Sequence, residues 1–251
     1  MLAVEFRTVT KRFRRRSVTA NYGTLKALLA GAQRLEAPPP IEALRDVSFQ
    51  TAAGETLAVI GRNGSGKTTL LKVAAGIYRP DLGTVRTTGR RVSLIELGLG
   101  LHPDFTGREN VMVIGLLHGL TRRELRDQFD RIVEFAGIDG FIDEPVRTYS
   151  SGMCMRLGFA AAIHSAPEIL LIDEVFAVGD GLFVDKCIAW MERFQRSGGT
   201  IVVASHDLSL VRQRCDHALW LDGGQVRAIG DAREVADAYI AWMANNRVVS
   251  S

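Results

Sequence analysis

The chain has 251 residues, 47% of them apolar and 24% charged, which is enough for a sizeable core in one large domain or two small ones. A formal net charge of +3 gives no electrostatic case for a nucleic-acid partner. Cys154, Cys187 and Cys215 are odd in number and widely spaced, without a CxxC pair, so they read as reduced thiols of a cytosolic protein rather than a disulfide framework or a metal site.

In chain order, residues 2–9 alternate apolar and polar and predict a strand. A basic, irregular stretch from Lys11 to Pro40, ending in three prolines, reads as an insertion or long connector, set at 14–40. Val47–Phe49 and Leu57–Ile60 predict strands around a turn at Gly54, followed by a Gly-rich loop and a helix from about Lys67 to Gly76. Val85–Thr88 and Val92–Glu96 are further short strands, and from Gly107 to Ala166 the pattern is mostly helical. Ile169–Ile172 and Thr200–Ser205 are continuous apolar runs of the kind buried parallel strands show. Leu219–Asp222 and Val226–Ala228 flank Gly223-Gly224 as a hairpin, and a helix over Asp231–Asn245 closes the chain. Strands alternating with helices predict an α/β fold with a mostly parallel sheet; the helical stretch, about 100–165, reads as an inserted subdomain. No uncharged apolar run approaches the roughly 20 residues of a membrane span, and the first ten residues lack the apolar core of a secretory signal.

Gly61-Arg62-Asn63-Gly64-Ser65-Gly66-Lys67-Thr68 fits G-x-x-x-x-G-K-[ST], with a predicted strand before it and a helix from Thr69 after it. Glycines let a backbone wrap a phosphate closely, the helix start adds a favourable dipole, Lys67 supplies a cation for the β- and γ-phosphates, and the Thr68 hydroxyl is placed for Mg²⁺. The run Ile169–Ile172 ends in Asp173-Glu174. A strand of this kind delivers Asp173 to the carboxyl edge of the sheet, where it would hold Mg²⁺ through water, and Glu174 would polarise the attacking water.

Tyr149-Ser150-Ser151-Gly152-Met153 precedes an apolar helix and on its own reads as a helix N-cap. Following the phosphate loop, it resembles the Leu-Ser-Gly-Gly-Gln signature of the ATP-binding-cassette (ABC) ATPases, with Ser151 in place of the first glycine of the pair and Met153 in place of glutamine. Ala177-Val178-Gly179-Asp180 resembles the D-loop of that family, and Ser205-His206-Asp207 resembles its switch histidine. The glutamine that ends the strand after the phosphate loop is missing from Ser93–Leu97, where Glu96 is the nearest polar candidate. Phe13 is the best candidate for the aromatic that stacks on adenine, with Tyr22 second and a core role for Phe13 open.

The resemblance covers about residues 41–230 and implies a single nucleotide-binding domain over 1–251 with a P-loop ABC core, an antiparallel β subdomain and an inserted α-helical subdomain. It implies ATP and Mg²⁺ as cofactors, with Lys67, Glu174 and His206 catalytic, Gly61, Asn63–Thr69 and Phe13 on ATP, Thr68 and Asp173 on the metal, and Asp180 in the D-loop. Ser150, Ser151, Gly152 and Met153 would act in trans across a homodimer. Tyr149-Ser-Ser-Gly-Met with Arg156-Leu-Gly-Phe-Ala, together with Thr106-Gly-Arg-Glu-Asn110, is similar to the ATP-binding subunits of ABC-2-type exporters of O-antigen, capsule and teichoic acid. That similarity implies a multispanning ABC-2-type permease as partner, no nucleic acid, a peripheral place on the cytoplasmic face of the plasma membrane, and no C-terminal carbohydrate-binding domain. The alternatives are an exporter of another substrate, such as a drug or lipid, and a soluble ABC ATPase; a nucleotide-binding regulator without turnover fits Glu174 and His206 poorly.

Overall fold

The computed structural model describes residues 1–14, 39–95, 100–173 and 181–247. The strands, in chain order, are β1 (Leu2–Phe13), β2 (Ile41–Ala52), β3 (Thr56–Ile60), β4 (Leu82–Thr87), β5 (Arg91–Ser93), β6 (Ile169–Asp173), β7 (Thr200–Ala204), β8 (His217–Asp222) and β9 (Gln225–Asp231). The helices are α1 (Lys67–Ala74), α2 (Gly107–Leu117), α3 (Arg122–Ala136), α4 (Ser151–Ile163), α5 (Gly181–Arg196), α6 (Leu208–Arg214) and α7 (Ala232–Arg247).

The larger sheet has the order β5-β6-β7-β3-β8-β9. All its neighbours pair in parallel except β8 and β9, the hairpin around Gly223-Gly224. Period-two alternation assigns its two faces. Ala58, Ile60, Leu170, Ile172, Val203 and Trp220 join one core cluster with Phe159 of α4, Phe183 of α5 and Tyr239 of α7. Leu57, Val59, Ile169, Leu171, Val202 and Leu221 face the other way, into a cluster with Leu70 and Leu71 of α1 and with Val4, Phe6, Leu44 and Val47 of the smaller sheet. Both faces are therefore covered, which is why β6 and β7 are continuous apolar runs.

The smaller sheet is antiparallel, β2-β1-β4. It corrects the sequence reading in two places. β1 runs past Val9 to Phe13, so Lys11–Phe13 are strand and not part of an irregular segment, and β2 begins at Ile41 rather than at Val47. Most of the predicted 14–40 insertion, residues 15–38 with Tyr22, lies outside the described residues. β5 stops at Ser93, short of the predicted Glu96, and residues 181–196, to which the sequence reading gives no element, form α5.

Helices α2, α3 and α4 gather around a third core of their own, which includes Val111, Ile132, Val133, Ile142 and Leu157. Two capping boxes set its helix starts. The Thr106 hydroxyl accepts from the Glu109 amide and the Glu109 carboxylate accepts from the Thr106 amide, and Thr121 with Glu124 repeats the arrangement. α3 ends at Gly137 in the left-handed conformation, φ 61°. Among the described residues, no helix is long and apolar enough to cross a membrane.

Candidate nucleotide-binding site

Strand register decides which residues share an edge. Val59 of β3 lies level with Ala204 of β7, and Ala204 lies level with Asp173 of β6. Just past that line the chain leaves β3 as the loop Gly61–Gly66 and leaves β7 as Ser205-His206-Asp207. α1 then returns across the face of β6 and β7, where Leu70 and Leu71 pack with Ile169, Leu171, Val202 and Ala204. Its N-terminus is thus at the carboxyl edge of the sheet, where open α/β sheets take ligands. Topology alone brings together the phosphate loop, Asp173 and His206, which are far apart in sequence.

The loop is shaped by close backbone contacts. Gly61 has φ 149°, and a Cβ there would lie 2.1 Å from the Leu221 carbonyl oxygen and 2.8 Å from Ser65 Oγ. Gly66 has φ 108°, and a Cβ would lie 2.5 Å from the Ala43 carbonyl oxygen. The Ser65 amide donates to the Arg62 carbonyl at 3.1 Å, and the Ser65 carbonyl accepts from the Gly224 amide at 3.0 Å. Ser65 and Lys67 are buried. Lys67 Nζ donates to the Gly61 carbonyl at 2.9 Å and the Arg62 carbonyl at 3.4 Å, so the loop holds its own ammonium over its centre.

Over this loop lies a cleft of about 600 Å³. One wall is Asn63, Gly64, Gly66, Lys67, Thr68 and Thr69. The other is the start of β2, from Ile41 through Arg45 without Leu44, together with Gly223 and Gly224 of the β8–β9 turn. The sequence reading missed that second wall. A signal was present in Glu42-Ala43-Leu44-Arg45, two charges flanking an apolar pair just before the loop, but without the sheet register nothing ties it to the site.

A hydroxyl from Thr68 at the start of α1 and a carboxylate from Asp173 at the end of β6 are hard oxygen donors at one edge. Two such protein ligands suit Mg²⁺, which keeps several waters and phosphate oxygens in its shell. His206 is exposed just past β7, and Asp207 caps α6, its Oδ1 accepting from the Ser209 amide at 2.9 Å and the Leu210 amide at 3.1 Å. The Ser209 hydroxyl first, then the Leu210 amide, hold the Asp207 carboxyl below its usual range, with His206 beside it adding to the effect.

Ser150 is the N-cap of α4, and its hydroxyl oxygen accepts from the Met153 amide at 3.2 Å. Met153 and Cys154 pack against the helical core, which accounts for an apolar residue at position 153. Tyr149 donates through its hydroxyl to the Phe141 carbonyl at 2.6 Å and rests on Gly107 of α2, where a Cβ would meet that hydroxyl at 2.3 Å. Among the described residues, α4 contributes nothing to the lining of the 600 Å³ cleft. Phe13 is half-buried, edge-on to Tyr78 at 5.3 Å with Lys11 Nζ 5.5 Å from its ring centre. It lies in register with Ile41, which does line the cleft. Glu96, Glu174 and Asp180 fall outside the described residues.

The model of the ABC transporter family matches residues 44–177, from β2 through the segment after Asp173. The chain belongs to the ABC transporter family. As a member it is 47% identical to the O-antigen export system ATP-binding protein RfbB of Myxococcus xanthus over 95% of its own length and 56% of that protein's. It is 46% identical to the protein of the same name from Klebsiella pneumoniae, over 80% of its length and 82% of the relative's. The cassette thus spans little more than half of the Myxococcus relative. Its fold is that of a dimeric ATP-binding cassette solved in a post-hydrolysis state with ADP and Pi, at a TM-score of 0.72 and 21% identity over 92% of this chain and 99% of the other.

Proposed function

We propose that this cassette hydrolyses ATP to power export of a polysaccharide or lipid-linked glycan through a separate, multispanning ABC-2-type permease. The observation that carries this reading is the 47% identity, along nearly the whole chain, to an ATP-binding protein named for O-antigen export. The cassette would sit peripherally on the cytoplasmic face of the plasma membrane, docked on the permease as a pair of copies.

In this reading the loop Gly61–Gly66 and the first turn of α1 cradle the phosphates with backbone N–H groups, and Lys67 exchanges its loop carbonyls for β- and γ-phosphate oxygens. Thr68 and Asp173 would hold Mg²⁺, which would supply charge neutralisation on the phosphates. Glu174, directly after Asp173, orients the attacking water and takes its proton as the water oxygen bonds to the γ-phosphorus and the bond to ADP breaks. His206 contacts the γ-phosphate from the end of β7. Ser150 and Gly152 at the start of α4 close the far side of that phosphate from the second copy, with Ser151, Met153 and Asp180 at the same dimer seam.

The test has two parts. Glu174→Gln keeps the shape and removes the base, so ATP binding persists while turnover falls by roughly 10²–10⁴-fold. In the host strain, deletion of the gene abolishes surface polysaccharide, and the wild-type gene restores it while Glu174→Gln does not. Near-normal turnover in the variant overturns the assignment of the base. Intact surface polysaccharide in the deletion strain overturns the choice of substrate class.

A further inference from the structure

The triphosphate end of the cleft is fixed by Lys67 and the loop; the nucleoside end is set by what the loop leaves open. The Ala43 carbonyl sits against Gly66, where a Cβ would come within 2.5 Å of it. From Ala43, β2 runs outward through Glu42 to Ile41, and a strand advances about 3.3 Å per residue. Two residues of strand therefore reach as far as a ribose lies from the phosphates. Glu42 and Arg45 line the phosphate cleft and also a second cleft of about 510 Å³ that continues it toward Arg12. Ile41 also lines both, and of the three Glu42 is the one that offers a side-chain acceptor. Its carboxylate is held by Arg12 Nε at 2.8 Å on Oε1 and by Arg45 Nε at 3.5 Å on Oε2. It is a third exposed, so it faces the cleft as an oriented acceptor rather than a free surface acid.

We propose that Glu42 is a specificity-determining residue that accepts a hydrogen bond from a ribose hydroxyl of the bound nucleotide. Arg12 and Arg45 keep the carboxylate aimed, and each of its oxygens keeps a lone pair for the ligand. The proposal rests on the ATP reading of the loop. A hydrogen bond to a charged acceptor makes the site tell ATP from the analogue that lacks the donor, because the carboxylate is then left facing a gap.

The experiment measures equilibrium binding of ATP, 2′-deoxyATP and 3′-deoxyATP to the wild-type chain, Glu42→Ala, Glu42→Gln and Lys67→Ala, with circular dichroism as a fold check. The wild type binds ATP roughly tenfold more tightly than one of the two deoxynucleotides. In Glu42→Ala that ratio collapses to near one, through weaker ATP binding with deoxynucleotide binding unchanged, and Glu42→Gln, which still carries an acceptor, retains part of it. If Glu42 only braced Arg12 and Arg45, all three nucleotides would weaken together and the ratio would hold, which overturns the proposal. Equal affinity of the wild type for all three nucleotides also overturns it. Lys67→Ala separates the two levels of the argument. It weakens all three nucleotides alike if the phosphate loop binds ATP, whereas no effect of Lys67→Ala refutes the ATP reading itself.

Discussion

At the scale of single residues, Asn110 carries more structure than its polarity suggests. It is fully buried in α2, its Oδ1 accepts from the His102 amide at 2.7 Å, and its Nδ2 donates to the carbonyls of His102, Phe105 and Thr106 at 3.0 to 3.2 Å. One side chain thus satisfies the turn that leads into the helical subdomain. Asn110→Leu fills similar space and orphans the His102 amide, while the carbonyls of His102, Phe105 and Thr106 keep the backbone amides of Phe105, Val146 and residue 110, at a cost of about 2 kcal/mol. Chemical denaturation of the purified variant measures it, and a loss below about 0.5 kcal/mol would show the turn to be held elsewhere. The residues of the phosphate loop were legible in the sequence because their types are dictated by local geometry, as Gly61 and Gly66 illustrate. Glu42 and Arg45 were not, since their meaning comes from a neighbouring strand and a distant turn.

At the scale of elements, the helical subdomain depends on its helix starts. In the box at α3, Thr121 Oγ1 accepts from the Glu124 amide at 3.2 Å and Glu124 accepts from the Thr121 amide at 2.7 Å. Thr121→Ala removes one cap and costs about 1 kcal/mol. Amide exchange resolves where: protection falls across 122–136 and not in β3 or β7. A uniform loss along the chain would instead mean that the subdomain unfolds only with the rest. Elements were legible where one pattern persists, as in the continuous apolar runs of β6 and β7 and in the long helix α7. β1 was cut short at Val9 because its pairing with β2 shifts register at Phe6/Val9 and again at Val9/Lys11, and Thr8 has φ 49°, so alternation breaks inside a continuous strand. α5 carries a readable stripe, with Phe183, Cys187 and Phe194 buried and Trp190 packed beside them, yet Leu182 and Ile188 are exposed and blur it.

At the scale of the whole molecule, the 600 Å³ cleft is walled on two sides, and the helix start at Ser150 is on another part of the chain. If a second copy supplies it, the Glu174→Gln chain dimerises when ATP is added, as size-exclusion chromatography reports, and Ser150→Arg abolishes both the dimer and turnover. An unchanged dimer and unchanged turnover in Ser150→Arg would reduce the motif to a helix cap. No sequence pattern within one chain would display such a site; the family resemblance of the motif is what suggests it.

The seat of the phosphate loop has one more consequence. Gly61 is pressed on the Leu221 carbonyl, Ser65 is tied to the Gly224 amide, and Gly224 accepts in turn from the Arg45 amide at 2.8 Å. The loop is made well before part of the backbone that shapes it, the stretch from Leu221 to Gly224. On the ribosome, the nascent chain therefore carries an immature phosphate loop until the β8–β9 hairpin has emerged from the exit tunnel. Stalled chains of increasing length, probed with an ATP-affinity resin, acquire retention only once residue 224 is clear of the tunnel, and nucleotide becomes a reporter of completed synthesis.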